Sequence, residues 1–361
     1  MATSRRGHYV RAMREHLKLV TLGAAKIQVT TIAWVPSIRG AVVVTLCVTW
    51  CLYAGFTAFA IPLAVGALFV GLADVDQVFG QRWRTMLTAT FWVTSSALLG
   101  GLASNFGVFQ VPLVAVVGAI CGYVGVAGRR SALIGLLSIV TYVIFSGAPE
   151  NNLTALLTGG LVVIGGLIQT AATVVPAGIR APRAFRIPHQ SDHSLSQLRE
   201  NLNTRNDFFR HGARLALALA IATSAYLYLG WPHGYWIPMT VAWISLPDQN
   251  GTATRVIARV AGSIAGVLIT YAVIEGLHLQ TYATAIFIGF GGLVMLAFVR
   301  ANYAIAVGGI TIFAISLMSL IGDPVAEVSV IRLLSTLIAG VIVIGASFLW
   351  PAIRTEDERA H

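Results

Sequence analysis

Gly234-Tyr-Trp-Ile-Pro-Met-Thr-Val-Ala-Trp-Ile-Ser-Leu-Pro-Asp248 is the stretch that decides the fold, together with its continuation through Arg255 and Arg259 to Gly266. It holds an aromatic pair, two prolines, one aspartate and two arginines between long apolar runs. Ionisable groups are expensive in lipid and usually face protein or water. Because most other charges lie in short loops or tails, we predict a functional site here.

The composition is that of a membrane protein. Of the 361 residues, 57% are hydrophobic and 11% are charged, whereas soluble proteins carry about 25% charged residues. The net charge of +10 comes from basic residues that flank apolar runs, as the positive-inside rule describes. This distribution indicates contact with membrane lipid and argues against nucleic acid as a partner.

The three cysteines do not form a disulfide framework. With no histidine cluster nearby, we expect Cys47, Cys51 and Cys121 to be small packing residues and not metal ligands. The sequence has no P-loop, no arrangement typical of a Ser/His/Asp catalytic triad and no His-Glu-x-x-His motif. We therefore predict no cofactor, no metal and no enzyme chemistry.

Apolar segments of the length needed to span a bilayer, about 20 residues, recur along the chain. They predict an all-α polytopic membrane protein with about twelve transmembrane helices, arranged as two parallel six-helix repeats. The predicted boundaries are a retained N-terminal cytosolic or interfacial segment at 1–37, a first membrane repeat at 38–179, a cytosolic linker at 180–206, a second repeat at 207–353 and a cytosolic tail at 354–361.

The sequence of the first half recurs in the second at an offset of about 175 residues, so that Pro62 corresponds to Pro238 and Asp74 to Asp248. Six spans per half is an even number, so the halves should be parallel about an axis along the membrane normal, with a pathway between them. Arginines collect in the loops on one side and acids on the other. This asymmetry predicts cytoplasmic N- and C-termini.

Tyr235 and Trp236 are predicted at the outer end of the eighth span. They are either an aromatic belt at the headgroup level or an aromatic wall beside the pathway, suited to flat organic substrates. Both interpretations fit the sequence.

Asp248 lies in a turn signature, Pro247-Asp-Gln-Asn-Gly251, and one interpretation is that it only shapes the turn. Asp74 recurs at the equivalent place in the first half, in a loop with Arg82 and Arg84. An ion pair between aspartate and arginine that gates the cytosolic mouth is the alternative.

Arg255, Arg259, Gly262 and Gly266 share one helix face by their spacing. The glycines permit close approach of a neighbouring helix. The arginines either anchor the helix on the positive side of the membrane or capture an organic anion near a helix N-terminus.

Arg332 is unusual because it lies on the acidic side, at the start of the last span. It is predicted either to form a salt bridge with Glu327 or Asp323 at the outer rim, or to belong to a substrate or proton site at the exit.

Several motifs of the second half resemble the fusaric acid resistance protein-like family, which is related to bacterial aromatic acid exporters and more distantly to plant malate channels. They are Arg214-Leu-Ala-Leu-Ala-Leu-Ala, Gly234-Tyr-Trp-Ile-Pro-Met-Thr240, and Pro247-Asp248 followed by Thr252, Thr254, Arg255, Arg259 and Gly262. The resemblance covers residues 204–351, and the first half resembles the family more loosely through Arg39, Asp74 and Arg84.

The resemblance implies a secondary-active exporter of aromatic or other organic acids in the cell inner membrane, coupled to protons. It also implies that Tyr235, Trp236, Thr240, Asp248, Arg255 and Arg259 are the recurrent positions. With Arg332, Asp74 and Arg84 they are the predicted substrate-pathway residues. The alternatives are an organic-anion channel and a non-transporting scaffold in envelope assembly, and a homo-oligomer is compatible with each of the three.

Overall fold

The computed structural model describes residues 27–74, 79–148, 151–180, 195–200, 202, 206–247 and 249–349. Every regular element in these ranges is a helix, which confirms the all-α prediction. The main helices are α1 (Trp34–Tyr53), α2 (Ala60–Leu72), α3 (Phe79–Ala103), α4 (Gln110–Tyr123), α5 (Arg129–Ser146), α6 (Asn152–Arg180), α7 (Asp207–Leu229), α8 (Trp236–Ile244), α9 (Gln249–Ile274), α10 (Thr281–Phe298), α11 (Tyr303–Leu320) and α12 (Val325–Leu349). Short helical pieces are Leu195–Glu200 and the 3-10 turns Val29–Thr31, Thr57–Phe59, Gly107–Phe109 and Val124–Ala127.

Ten helices in the described ranges are long and apolar enough to cross a membrane, so the chain is a multi-pass membrane protein. The prediction of twelve spans is confirmed only for these ten. The other two segments form the short helices α2, of 13 residues, and α8, of 9 residues. With a rise of about 1.5 Å per residue, neither covers a hydrocarbon core of about 30 Å.

Both short helices begin with a proline-bearing turn and are enclosed by protein. Pro62 and Pro238 each occupy the third position of their helix, where no intrahelical N–H bond is lost. All of α8 and nearly all of α2 are buried. Non-helical backbone beside them is tolerated at membrane depth because protein and not lipid surrounds it. The rings of Phe69 in α2 and Trp243 in α8 lie 6.3 Å apart, so the two short helices meet inside the bundle.

The helices of each half pack against one another in corresponding pairs. In the first half, α2 packs on α6, and α3 packs on α5 and α6. In the second half, α8 packs on α12, and α9 packs on α11 and α12. Between the halves, α4 lies along α7 and α10 lies along α1.

Glycines bring α2 and α6 into backbone contact. A Cβ atom at Gly66 would lie 2.3 Å from the carbonyl oxygen of Val162, and one at Gly165 would lie 2.2 Å from that of Leu63. The two helices therefore approach as closely as their main chains allow, as small residues permit in membranes.

The glycines of α9 have the same function against α11. A Cβ atom at Gly262 would lie 2.2 Å from the carbonyl oxygen of Ala304, and one at Gly266 would lie 2.7 Å from that of Gly308. The predicted packing role of Gly262 and Gly266 is confirmed. This contact sets the rotation of α9 about its own axis and therefore the direction in which the arginines on the same face point.

Candidate functional site

Tyr235 and Trp236 stand at the start of α8, inside the protein. Gly230 ends α7 in the left-handed conformation, with φ of 60°, and the chain then turns back into the bundle. Trp236 is only 2% exposed and Tyr235 is 9% exposed. Because an aromatic belt faces the lipid headgroups, the belt interpretation is wrong for this pair.

Arg332 on α12 is completely buried, with 0% exposure. Its guanidinium carbon lies 5.0 Å from the centroid of the Trp236 ring, a cation–π contact. Its Nε, Nη1 and Nη2 atoms have no hydrogen-bond partner among the described residues. The side chain is therefore a buried cation whose described neighbour is an aromatic face.

The predicted salt bridge of Arg332 at the outer rim is wrong. Five residues along a helix correspond to a rotation of about 500°, so Glu327 lies about 140° around α12 from Arg332, and its side chain is exposed. Asp323 lies instead beside His233, with Nε2 and Oδ2 3.1 Å apart, a charge pair when the imidazole is protonated.

Arg259 on α9 is, beside Arg332, the second arginine among the described residues that is fully buried, with 1% exposure. Its Nη1 atom donates a hydrogen bond of 3.5 Å to the hydroxyl oxygen of Tyr303, while Nε and Nη2 have no partner among the described residues. A side chain that anchors a helix at the membrane surface would be in contact with water or headgroups. The anchoring interpretation is therefore wrong for Arg259.

A polar contact between α9 and α12 shows that the two arginines lie on helix faces that meet. The hydroxyl oxygens of Ser263 and Thr336 lie 3.4 Å apart. Ser263 follows Arg259 by one helical turn, and Thr336 follows Arg332 by one turn, so each pair shares a helix face. Both guanidinium groups therefore belong to the same buried interface.

The end of α8 is held by the other side chains of the site. Arg255 donates a hydrogen bond of 3.1 Å from Nη1 to the carbonyl oxygen of Trp243, and the Tyr303 hydroxyl donates to the same oxygen over 3.4 Å. The guanidinium of Arg255 also lies 4.9 Å from the centroid of the Tyr303 ring. Since the last carbonyls of a helix lack internal partners, these two residues provide donors for one of them at the end of α8.

Two further buried hydroxyl groups lie on α8 and α12. Thr240 in the middle of α8 is completely buried, and its Oγ1 atom has no partner among the described residues. The Oγ atom of Ser335, next to Thr336 on α12, has none either. Unpaired buried hydroxyl groups are costly, so this interface is polar beyond what packing requires.

A cavity of about 750 Å³ opens beside the start of α8. Tyr235, His233 and Asp323 line its polar part, and most of the remaining wall is apolar. The His233 ring also stacks on Trp236, with centroids 5.3 Å apart and an angle of 23°. Trp236 therefore contacts both the cavity residue His233 and the buried Arg332.

Asp74 is a buried ion-pair centre at the end of α2. Its carboxylate pairs with Arg39 of α1 and with Arg82 of α3, and it accepts a hydrogen bond of 3.4 Å from the Thr173 hydroxyl of α6. The predicted pairing with arginine of the same loop thus involves Arg82. Arg84 is exposed and lies against its neighbour Trp83, so the structure leaves it outside the candidate site although it was predicted to line the pathway. Asp74 joins four helices of the first half.

Replacement of Asp74 by asparagine is expected to destabilise the protein by about 2 kcal/mol. A fully buried pair costs about 3–5 kcal/mol when one partner is removed, and the effect is smaller here because Arg39 and Arg82 keep 24% and 21% of their side-chain exposure. Unfolding of the purified protein in detergent measures this loss of stability. Glu327→Gln, at an exposed acid, should leave stability unchanged, and equal melting of both variants would contradict the structural role.

Asp248 lies outside the described residues, so its predicted role stays a prediction. In the described ranges no group of three or more His, Cys, Asp or Glu side chains is placed to hold a metal ion. The three cysteines are free thiols, two of them buried.

Sequence reasoning missed three contributors to the site. Ser263 and Thr336 were marked only by their spacing of four residues from Arg259 and Arg332. The third contributor is Tyr303, whose hydroxyl and ring contact two different arginines. The helical spacing was the one signal that could have found the first two.

Residues 218–346 match the model of the family described as fusaric acid resistance protein-like. The resemblance predicted from the motifs is thus confirmed for this part of the chain, which contains the buried arginines. No solved structure matches the chain.

The chain is also similar to curated bacterial proteins. It is 29% identical to Inner membrane protein YccS of Escherichia coli (strain K12), over 48% of this chain and 26% of that protein. It is 31% identical to Uncharacterized protein ORF2 of Neisseria gonorrhoeae, over 43% of this chain and 37% of that protein. The chain therefore spans between a quarter and two fifths of the length of these relatives.

Proposed function

We propose that this membrane protein, whose residues 218–346 carry the fusaric acid resistance protein-like pattern, is a secondary-active exporter of aromatic and other organic acids. The observation that carries the proposal is the pair of buried arginines, Arg259 and Arg332, with guanidinium nitrogens that have no described protein acceptor.

The energetics favour an anion as the ligand of this interface. An unpaired charge in a low-dielectric interior costs several kcal/mol, and the cost disappears when a counter-charge with good hydrogen-bond geometry arrives. Guanidinium groups present planar sets of donors that match carboxylates. The faces of Trp236 and Tyr303 lie beside arginines of the site and provide contact area for a flat organic acid.

The packing of the helices supports two parallel repeats. The contacts of α2 with α6 and of α3 with α5 and α6 correspond, six helices later, to those of α8 with α12 and of α9 with α11 and α12. The two most extensive contacts between the halves, α4 with α7 and α10 with α1, also correspond to each other when the first half is matched to the second. A two-fold axis along the membrane normal accounts for all of these pairs.

The two short helices mark the pathway in this arrangement. Interrupted helices in corresponding positions of two repeats typically line the substrate site of a transporter. In the direction predicted by the positive-inside rule, the ligand passes Arg255 and Arg259, then Arg332 and Trp236, and leaves through the cavity beside His233. Because Arg259 and Arg332 have almost no solvent contact, transport past them requires the helices to part.

Flux measurements in liposomes test the proposal. The purified full chain should move labelled benzoate faster than protein-free vesicles do, and a protonophore that collapses an imposed pH gradient should abolish accumulation. Flux that follows voltage and persists without a pH gradient would identify a channel instead. No movement of any aromatic acid above background would make the export proposal wrong.

Matched arginine variants connect the flux to the site. Arg259→Gln should reduce benzoate flux strongly, whereas Arg84→Gln, at an exposed arginine, should leave it unchanged. Flux no faster than through protein-free vesicles, in the wild type as in both variants, would favour the scaffold alternative. Equal flux above that level would show that the buried arginines do not bind the transported acid.

A further inference from the structure

The buried interface carries two positive charges and no described negative charge. The Asp74 carboxylate pairs with Arg39 and Arg82, and Asp323 lies beside His233. Neither Arg259 nor Arg332 forms an ion pair with a described carboxylate. A ligand with one negative charge neutralises one guanidinium and leaves the other as an unpaired buried cation, which costs several kcal/mol.

The two charges are separated along the pathway. Consecutive spans alternate in direction, so α9 and α12 run antiparallel, and the contact of Ser263 with Thr336 sets their register. Arg259 and Arg332 each precede this contact by one turn, and in antiparallel helices they therefore lie on opposite sides of it. With a rise of about 1.5 Å per residue, their Cα levels differ by about 12 Å.

The flanking contacts agree with this separation. Arg332 lies against Trp236 at the start of α8, whereas Arg259 bonds to Tyr303, which in turn bonds to the carbonyl oxygen of Trp243 near the end of α8. The two guanidinium groups are thus placed towards opposite ends of the same short helix.

The helix surfaces between the two charges carry hydroxyl groups. Ser263 and Thr336 contact each other between the two arginines. The buried hydroxyl groups of Thr240 and Ser335, which have no described partner, belong to the two helices that face each other here, α8 and α12. Such surfaces suit a ligand that carries a charge at each end and a flat, weakly polar middle.

We infer that the site selects aromatic dianions with two carboxylates at opposite ends of the ring, and this inference rests on the proposed function. One carboxylate is bound by Arg332 beside Trp236 and the other by Arg259 beside Tyr303. Both buried charges are then neutralised at once, which a single monoanion does not achieve.

Binding of four simple acids to the purified full chain tests the inference. Isothermal titration should give one terephthalate per chain, with a Kd at least ten times lower than that of benzoate. The 1,3-isomer isophthalate should be intermediate and the 1,2-isomer phthalate the weakest of the three diacids. Benzoate that binds as tightly as terephthalate, or with two molecules per chain, would overturn the inference and leave the export proposal standing. If none of the four acids binds, the export proposal fails as well.

Single-arginine variants test the assignment of each carboxylate. Arg332→Gln and Arg259→Gln should each raise the Kd of terephthalate to about that of benzoate, because one arginine remains in each variant. Arg84→Gln should keep the full preference for terephthalate. A preference that survives both buried substitutions would overturn the inference. If a variant misfolds, the comparison of the four acids on the wild-type chain still decides the question, because it needs no substitution.

Discussion

Replacement of Arg332 by methionine is expected to abolish anion flux and to stabilise the protein at the same time. In most buried positions a substitution destabilises, so the combination is a distinctive signature. Methionine keeps a long, flexible side chain of similar shape and removes a charge that has no described acceptor. Replacing buried charged groups by apolar residues of similar volume stabilises by about 1–4 kcal/mol in favourable cases.

The loss of flux in this variant has a separate cause. A hydrogen bond to a charged group contributes about 1.5–3 kcal/mol, so the loss of the Arg332 guanidinium should weaken the binding of a carboxylate by about 10- to 100-fold. Benzoate flux in liposomes and thermal unfolding in detergent measure the two effects on the same preparation.

Arg84→Met is the matched control for Arg332→Met. Arg84 is exposed and its guanidinium lies 5.4 Å from the ring centroid of the adjacent Trp83, so both flux and melting temperature should stay close to those of the wild type. If Arg332→Met were destabilised as strongly as a broken ion pair, Arg332 would have a protein partner, and the physical basis for an anion site would be lost.

Replacement of Gly165 by leucine is expected to prevent the formation of stable protein. A Cβ atom at this position would lie 2.2 Å from the carbonyl oxygen of Leu63 and 3.0 Å from the amide nitrogen of Ala67. Both are main-chain atoms, so the clash cannot be relieved by a side-chain rotation. Overpacking of a core typically costs about 1–3 kcal/mol, and a forced separation of α2 from α6 should exceed this range.

Gly160 on the same helix provides the control for Gly165. It is exposed, and no heavy atom outside its own helix lies within 4 Å of a Cβ atom built there. Gly160→Leu should therefore give normal yield, a single peak in size-exclusion chromatography and an unchanged melting temperature. Equal behaviour of the two leucine variants would show that α2 and α6 are not in backbone contact.

The sequence was sufficient for the fold class because the relevant signals are long and redundant. Uncharged runs of about 20 residues occur many times, and Pro62 and Pro238 mark the starts of the two unusual helices. The lengths of those helices could not be predicted, because a buried nine-residue helix and an apolar span have the same composition. Only surrounding protein makes the short form possible.

The geometry of the candidate site could not be predicted from the sequence. Arg332 was placed near acids by sequence distance, whereas the helix turns Glu327 away from it and brings Thr336 onto its face. The partners of Asp74 illustrate the same limit, because Arg39 lies 35 residues away on another helix. Contacts between helices depend on crossing geometry, which local spacing does not contain.

The position of α8 has a consequence for biosynthesis. A helix of nine residues cannot occupy lipid by itself, because the backbone polar groups at its ends would be exposed to hydrocarbon. Its main packing partner, α12, follows it in the chain and carries Arg332. The interface with the two arginines therefore cannot close before α12 has been synthesised, and a nascent chain that stops before α12 leaves α8 without the surface that encloses it.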